Sequence, residues 1–425
     1  MTTTMRLPLG LALLTACAAA AAPPPPSTWD RVMLTAAAEQ GAVCLDGSPG
    51  GYFIQRGDPQ RWILFMQVCL SLSLSLSLSV SVSVSVSLSL NLSTMQGGGW
   101  CTSDVDCAAR AFGAPGKPGH PWLGGSTHWP KSYVDLYEGS ELFADPAFSN
   151  YTIVFAPYCD GGSWTGNADA PVPTAANGTS QGKPIYYRGA RLLDALLDSV
   201  LVAGLQNATN LLWAGCSAGG LTTYLHADYV AERVGSGTRV LALADAMFSL
   251  EYEPFSPPVP PAITFPQEMA WGYTHWNASG RMNRGCLAHY GATAGWRCLF
   301  GANVAPHVKT PLFVLNSKFD TWQGDAIIAA ATGVIGKENK TVQAFWLQYA
   351  ADMVGNFSAL PPQHGGFLGN CPAHCQTGRA GHGHDPAHRT ADPWTGACAT
   401  NFSLKILNRY WDSLPFEVGP FCFAD

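Results

Sequence analysis

The sequence predicts an α/β fold of the α/β-hydrolase type: one mainly parallel sheet, helices on both faces, and loops stapled by disulfides. Three observations carry this. Short apolar runs alternate with helically spaced segments. A serine between glycines stands where one such run turns into a helix. The cysteines are numerous and spread along the chain.

Residues 61–67 (RWILFMQ) and 151–157 (YTIVFAP) read as buried strands. Leu192, Leu193, Leu196, Leu197, Val200 and Leu201 fall at helical spacing and predict a helix over 187–205. Residues 211–214 (LLWA) form a short strand that breaks at Gly215 and runs into a helix through 222–234. Residues 240–244 (VLALA) and 311–316 (PLFVLN) are two further strands. From Leu360 onward the chain is rich in Gly, Pro, His and Cys and reads as disulfide-stapled loop. No internal repeat or long linker divides it, so residues 23–425 are expected to form a single catalytic domain.

The 425 residues are 47% hydrophobic and 12% charged, ample for a large core. The net charge is -6, and no run of five Lys or Arg occurs, which argues against a nucleic-acid partner. Residues 1–22 read as an export signal: Arg6 precedes an Ala- and Leu-rich apolar run too short to favour a membrane span. A secreted protein of the extracellular space or cell wall, monomeric and without a membrane partner, is the expectation. Of 13 cysteines, Cys17 leaves with the signal, Cys69 lies in an aberrant insert, and Cys216 is expected to stay a buried free thiol. The remaining ten suit five disulfides, with Cys101–Cys107 and Cys286–Cys298 as the local pairs expected first. Acceptor sequons at Asn150, Asn177, Asn207, Asn277, Asn339, Asn356 and Asn401 agree with export.

Gly215-Cys216-Ser217-Ala218-Gly219 fits G-x-S-x-G after a strand and before a helix, the context of a nucleophile elbow. A second match, at Gly178 to Gly182, has no strand before it and reads as chance. Ser217 is therefore the expected nucleophile. An acid should follow a later strand. Asp320, three residues beyond PLFVLN, leads; Asp245 is its rival and Asp325 the third choice. The base should come last, from among His364, His374, His382, His384 and His388. His374 stands between Cys371 and Cys375, which could pin its loop. The run Gly97-Gly98-Gly99 before Trp100 is the natural oxyanion loop, acting with the N–H of Ala218. His382, His384 and His388 with Asp385 have suggestive metal spacing, but their Gly/Pro surroundings favour solvated loop.

These motifs resemble the plant-type pectin acetylesterases, which share a fold with the Notum carboxylesterases. The resemblance rests on GGGWC, PYCDGGSW, AGCSAGG, ADAMF, SKFDTWQ and AHCQT, in that order. It implies Ser217 as nucleophile, Asp320 as acid, His374 as base, and Gly98, Gly99 and Ala218 as the oxyanion hole. Asp245 then becomes structural. It implies two-step acyl transfer with no metal or organic cofactor, and an acetylated cell-wall polysaccharide, such as pectin, as substrate. The alternatives are an esterase for a longer acyl chain, and a non-catalytic product disabled by the insert. The sequence departs from the family in having Gln67 or Gln96, not an acid, before the glycine run.

The insert is the larger departure. Residues 69–93 alternate Leu or Val with Ser and carry no charge. As one strand they would span roughly 70–80 Å, far beyond ordinary strands. Val codons begin with GT, and Gln can be encoded by CAG, so Val68 to Gln96 reads as a translated in-frame intron. Its removal restores RWILFMQGGGWC. Sequencing of mature transcripts is expected to show the 29 codons absent; abundant mRNA carrying them, with their peptides in active protein, contradicts the reading.

Overall fold

The computed structural model describes residues 29–66, 98–113, 123–131, 141–144, 148–175, 180–255, 263–327, 340–369, 373–377 and 422–423. The expected insert, the signal segment and the His382–His388 cluster lie outside these residues.

Strands β1 (Asp30–Met33), β2 (Gly51–Gln55), β3 (Asp58–Met66), β4 (Tyr151–Ala156), β5 (Asn210–Cys216), β6 (Arg239–Asp245), β7 (Leu312–Ser317), β8 (Gly365–Gly369) and β9 (Cys422–Phe423) join in one sheet. Their order is β1-β2-β4-β3-β5-β6-β7-β8-β9. From β4 to β9 every pairing is parallel; β1 and β2 add an antiparallel edge. Parallel strands covered on both faces need apolar side chains at every position, not alternate ones. That is why LLWAGC, VLALA and LFVLN read as unbroken apolar runs, and why all their residues are buried.

The helix Gly189–Val202 buries Leu192, Leu193, Leu196, Leu197 and Val200, the stripe the sequence spacing marks. It lies in the connection from β4 to β5, which passes β3 in the sheet order. The chain thus leaves β3 toward β4 on one side and leaves β5 toward β6 on the other. Such a divergence opens a crevice at the carboxyl ends of the two strands, the usual ligand position in an open α/β sheet. Met66, the last residue of β3, pairs with Gly215 near the end of β5.

Two expectations are corrected. Part of the region beyond Leu360 is not loop: residues 365–369 (GGFLG) form β8 against β7. Glycine concealed this strand in the sequence, yet packing demands it. A Cβ at Gly366 would lie 2.4 Å from the Val314 carbonyl oxygen and 2.6 Å from the Phe357 ring. Cys216 is not a free thiol; it is bonded to Cys375, with Cα atoms 5.6 Å apart. The loop after β8 comes back onto the end of β5, which no local spacing could reveal. The pairs Cys101–Cys107 and Cys286–Cys298 form as expected, and Cys44 pairs with Cys159. Cys69, Cys371 and Cys398 lie outside the described residues.

Close approach of main chains fixes the glycines around the end of β5. A Cβ on Gly215 would meet the Gly219 carbonyl oxygen at 2.3 Å, and one on Gly220 the Asp245 carbonyl oxygen at 2.4 Å. Gly220→Ala is therefore expected to force the helix off β6 and to destabilise the protein by about 1–3 kcal/mol. Urea denaturation checks this, and an unchanged midpoint contradicts it.

Candidate active site

Ser217 sits between β5 and the helix Ala218–Val234 with φ 57° and ψ -126°. A non-glycine residue there is strained, and such strain persists only where the surroundings over-determine it. Here the Ser217 N–H donates to the Asp245 carbonyl at 2.9 Å, and the main chain at Gly215 and Gly220 packs too closely for a side chain. The turn lifts the hydroxyl above the carboxyl end of the sheet.

The Ser217 hydroxyl is 2.9 Å from His374 Nε2. On the other side of the ring, Nδ1 donates to Asp320 Oδ2 at 2.8 Å and stands 3.1 Å from Oδ1. Three residues separated by up to 157 positions thus share one hydrogen-bonded line. Asp320 is buried, and its Oδ1 also accepts the Gln323 N–H at 2.9 Å. It lies just beyond β7 and makes a parallel bridge with Ala373, the residue before the histidine.

The rivals fall elsewhere. Asp245 ends β6, and its carboxylate accepts the N–H groups of Gln376 and Thr377 and the Thr377 hydroxyl, at 3.0, 2.7 and 2.7 Å. It holds the histidine loop and does not contact the imidazole through a hydrogen bond. Burial pushes its pKa up to about 6 against those bonds. Asp325 lies in the short helix Thr321–Ile327. His364 is buried just before β8, where burial pushes its pKa down to about 4. Among the described residues no cluster of three or more His, Cys, Asp or Glu could hold a metal ion.

Burial by itself would lower the His374 pKa. The charge and hydrogen bond of Asp320, with the charge of Asp245, outweigh it and hold the pKa above the ordinary imidazole value. The loop carrying His374 is fixed twice: by the Cys216–Cys375 disulfide, which links the neighbours of serine and histidine, and by the Asp245 carboxylate.

Gly98 and Gly99 have φ 138° and 55°. Their carbonyls are tied back: Arg110 donates to Gly98 at 2.7 Å and Tyr158 to Gly99 at 3.0 Å. These two bonds hold the main chain of the glycine run from its carbonyl side. The Ala218 N–H opens the helix after Ser217 and is one of the four that a helix leaves without an internal partner. Trp100, which follows Gly99, packs against Phe265 and Trp322 at ring separations of 5.7 and 5.3 Å. Trp322 in turn stacks on the His374 ring at 6.4 Å. Sequence reasoning missed this aromatic wall, the disulfide and the Asp245 clamp, although SKFDTWQ and AHCQT contain four of the residues, Trp322, Cys375, Gln376 and Thr377.

The class defined by this sheet, elbow and buried line is an α/β hydrolase. Comparison with known proteins agrees. The sequence matches the model of the pectinacetylesterase family over residues 85–390, so the chain belongs to that family. Pectin acetylesterase 7 of Arabidopsis thaliana is 28% identical over 366 residues, covering 82% of this chain and 80% of its own. Human palmitoleoyl-protein carboxylesterase NOTUM is 27% identical over 290 residues, 66% of this chain and 49% of its own. The structure of the Wnt deacylase Notum from Drosophila matches with TM-score 0.67 at 19% identity over 93% of this chain, which shows the shared fold. The protein is a carboxylic ester hydrolase.

A neutral His374 is needed to take a proton, so activity is expected to fall as pH drops through its raised pKa. The acid limb of kcat/KM should lie above the usual imidazole value. Asp320→Asn should move that limb to lower pH and reduce kcat on the order of 10³-fold or more. An unmoved limb would show that another group titrates.

Proposed function

We propose that this protein is a secreted serine esterase that removes O-acetyl groups from cell-wall polysaccharide, pectin above all, through an acetyl-enzyme on Ser217. The observation that carries the reading is the unbroken line Ser217–His374–Asp320 beside the glycine loop. His374 takes the hydroxyl proton as Ser217 Oγ attacks the acetyl carbonyl. Asp320 stabilises the imidazolium that results. N–H groups of Gly98, Gly99 and Ala218 receive the oxyanion. Collapse of the tetrahedral intermediate breaks the ester bond; His374 returns the proton to the leaving sugar hydroxyl, and water repeats the sequence to release acetate.

The rings of Trp100, Phe265 and Trp322 pack on one another, and Trp322 stacks on the imidazole, so one side of the site is apolar. The curated relatives that match across four-fifths of this chain carry the name pectin acetylesterase. Export is supported by four disulfides among the described residues and by the apolar N-terminal segment. Excision of Val68–Gln96 is compatible with the fold. β3 ends against Gly215, and Trp100, just past the glycine run, is linked through Ser163 to Ala218 at the same elbow.

The test is acetate release from acetylated pectin by the mature, insert-free protein. Wild type should release acetate, and should turn over p-nitrophenyl acetate much faster than p-nitrophenyl palmitate. Ser217→Ala should lose at least about 10³-fold of either activity. Preference for the long acyl chain would favour the lipid-ester reading, and full activity in the variant would remove Ser217 from the chemistry.

A further inference from the structure

We infer that Ser163 is a positioning residue whose hydroxyl bolts together the two halves of the oxyanion hole; this deepens the esterase reading and rests on it. The hole draws its N–H groups from two separate pieces of chain, the loop at Gly98–Gly99 and the helix start at Ala218. Stabilisation of an oxyanion needs these donors fixed relative to each other before reaction, to within about 0.5 Å. Nothing in either piece alone supplies that.

Ser163 does. Its Oγ accepts the Trp100 indole N–H at 2.7 Å and donates its one proton to the Ala218 carbonyl at 2.8 Å. Trp100 follows Gly99 directly, and Ala218 carries the other donor, so one hydroxyl touches both halves. A second path closes a ring. The Ser163 N–H donates to the Tyr158 hydroxyl at 3.1 Å, and that hydroxyl donates to the Gly99 carbonyl at 3.0 Å. The loop bearing Ser163 is anchored further by Asp160, whose Oδ2 accepts the N–H groups of Gly162 and Trp164 at 3.2 and 2.9 Å. The Gly161 carbonyl accepts the Cys101 N–H at 3.2 Å.

The backbone at this position is strained. Ser163 and Trp164 are consecutive non-glycine residues at φ 51° and 60°. Ser163 is fully buried, so its hydroxyl has no role in surface solvation. A buried polar group at a left-handed position is tolerated where its bonds specify a geometry. No bond to the hydroxyl goes to the sheet core; its two partners both belong to segments that carry the hole.

The experiment compares Ser163→Ala and Ser163→Gly with wild type, on p-nitrophenyl acetate and on a phenylboronic acid that forms a tetrahedral adduct with a serine hydroxyl. Glycine accepts the positive φ, so it removes the hydroxyl even if the alanine variant folds poorly. Both variants are expected to lose about 10- to 100-fold in kcat with KM within about twofold. The boronate affinity should fall in proportion to kcat. Trp100→Phe, which removes the indole donor, should be non-additive with Ser163→Gly. Unchanged kcat and boronate affinity in a folded Ser163→Gly protein overturn the inference while leaving the esterase reading intact. A loss confined to thermal stability overturns it equally. A wild-type protein without Ser217-dependent esterase activity overturns both.

Discussion

Asp245 ties Ser217 to the loop that carries His374, and the geometry of the site depends on that tie. Its main-chain carbonyl holds the Ser217 N–H, and its carboxylate holds the two residues beyond Cys375. One residue at the end of β6 thereby sets the elbow on β5 and the loop after β8 in a common frame. The carboxylate is buried with three hydrogen bonds, which is what allows a charge there at all. Substitution would leave the N–H groups of Gln376 and Thr377 and the Thr377 hydroxyl without this partner, a cost larger than the worth of any one bond. The Cys216–Cys375 disulfide repeats the connection covalently, one residue from serine and one from histidine. Precise distances across three strands are preserved because the two ends of the triad are fastened to each other and not only to the sheet.

The glycine loop proposed as the oxyanion hole shows the same logic on the opposite flank. Its glycines supply conformational freedom, but the geometry comes from Arg110, Tyr158 and Ser163. Substrate would lie between two fastened frames, with the Trp100, Phe265 and Trp322 rings along one wall. Such preorganisation is what lets hydrogen bonds stabilise a transition state without rearranging during it.

Much of this was legible in the sequence where one local rule sufficed. Buried parallel strands announce themselves as apolar runs, and Ser217 stood out because its glycines follow a strand and precede a helix. Asp320 could be ranked first, although Asp245 stayed open until the motifs were taken together. Features built from distant segments were not legible. The Cys216–Cys375 pair spans 159 residues, and Cys216 beside a nucleophile looks like a small buried side chain. Strand β8 is short and glycine-rich, so its identity comes from β7 and Phe357, not from propensity. Ser163 lay inside a quoted motif, but a serine there signals nothing until Trp100 and Ala218 are seen on either side of it.

Covalent catalysis by Ser217 is tested most directly by mass spectrometry of the rapidly quenched enzyme during turnover of p-nitrophenyl acetate. The account predicts that the peptide containing Ser217 gains the mass of one acetyl group, located on that serine, and that the adduct decays when substrate is exhausted. Steady turnover with no acetylated Ser217 peptide, or an adduct on another residue that decays at the catalytic rate, would contradict it.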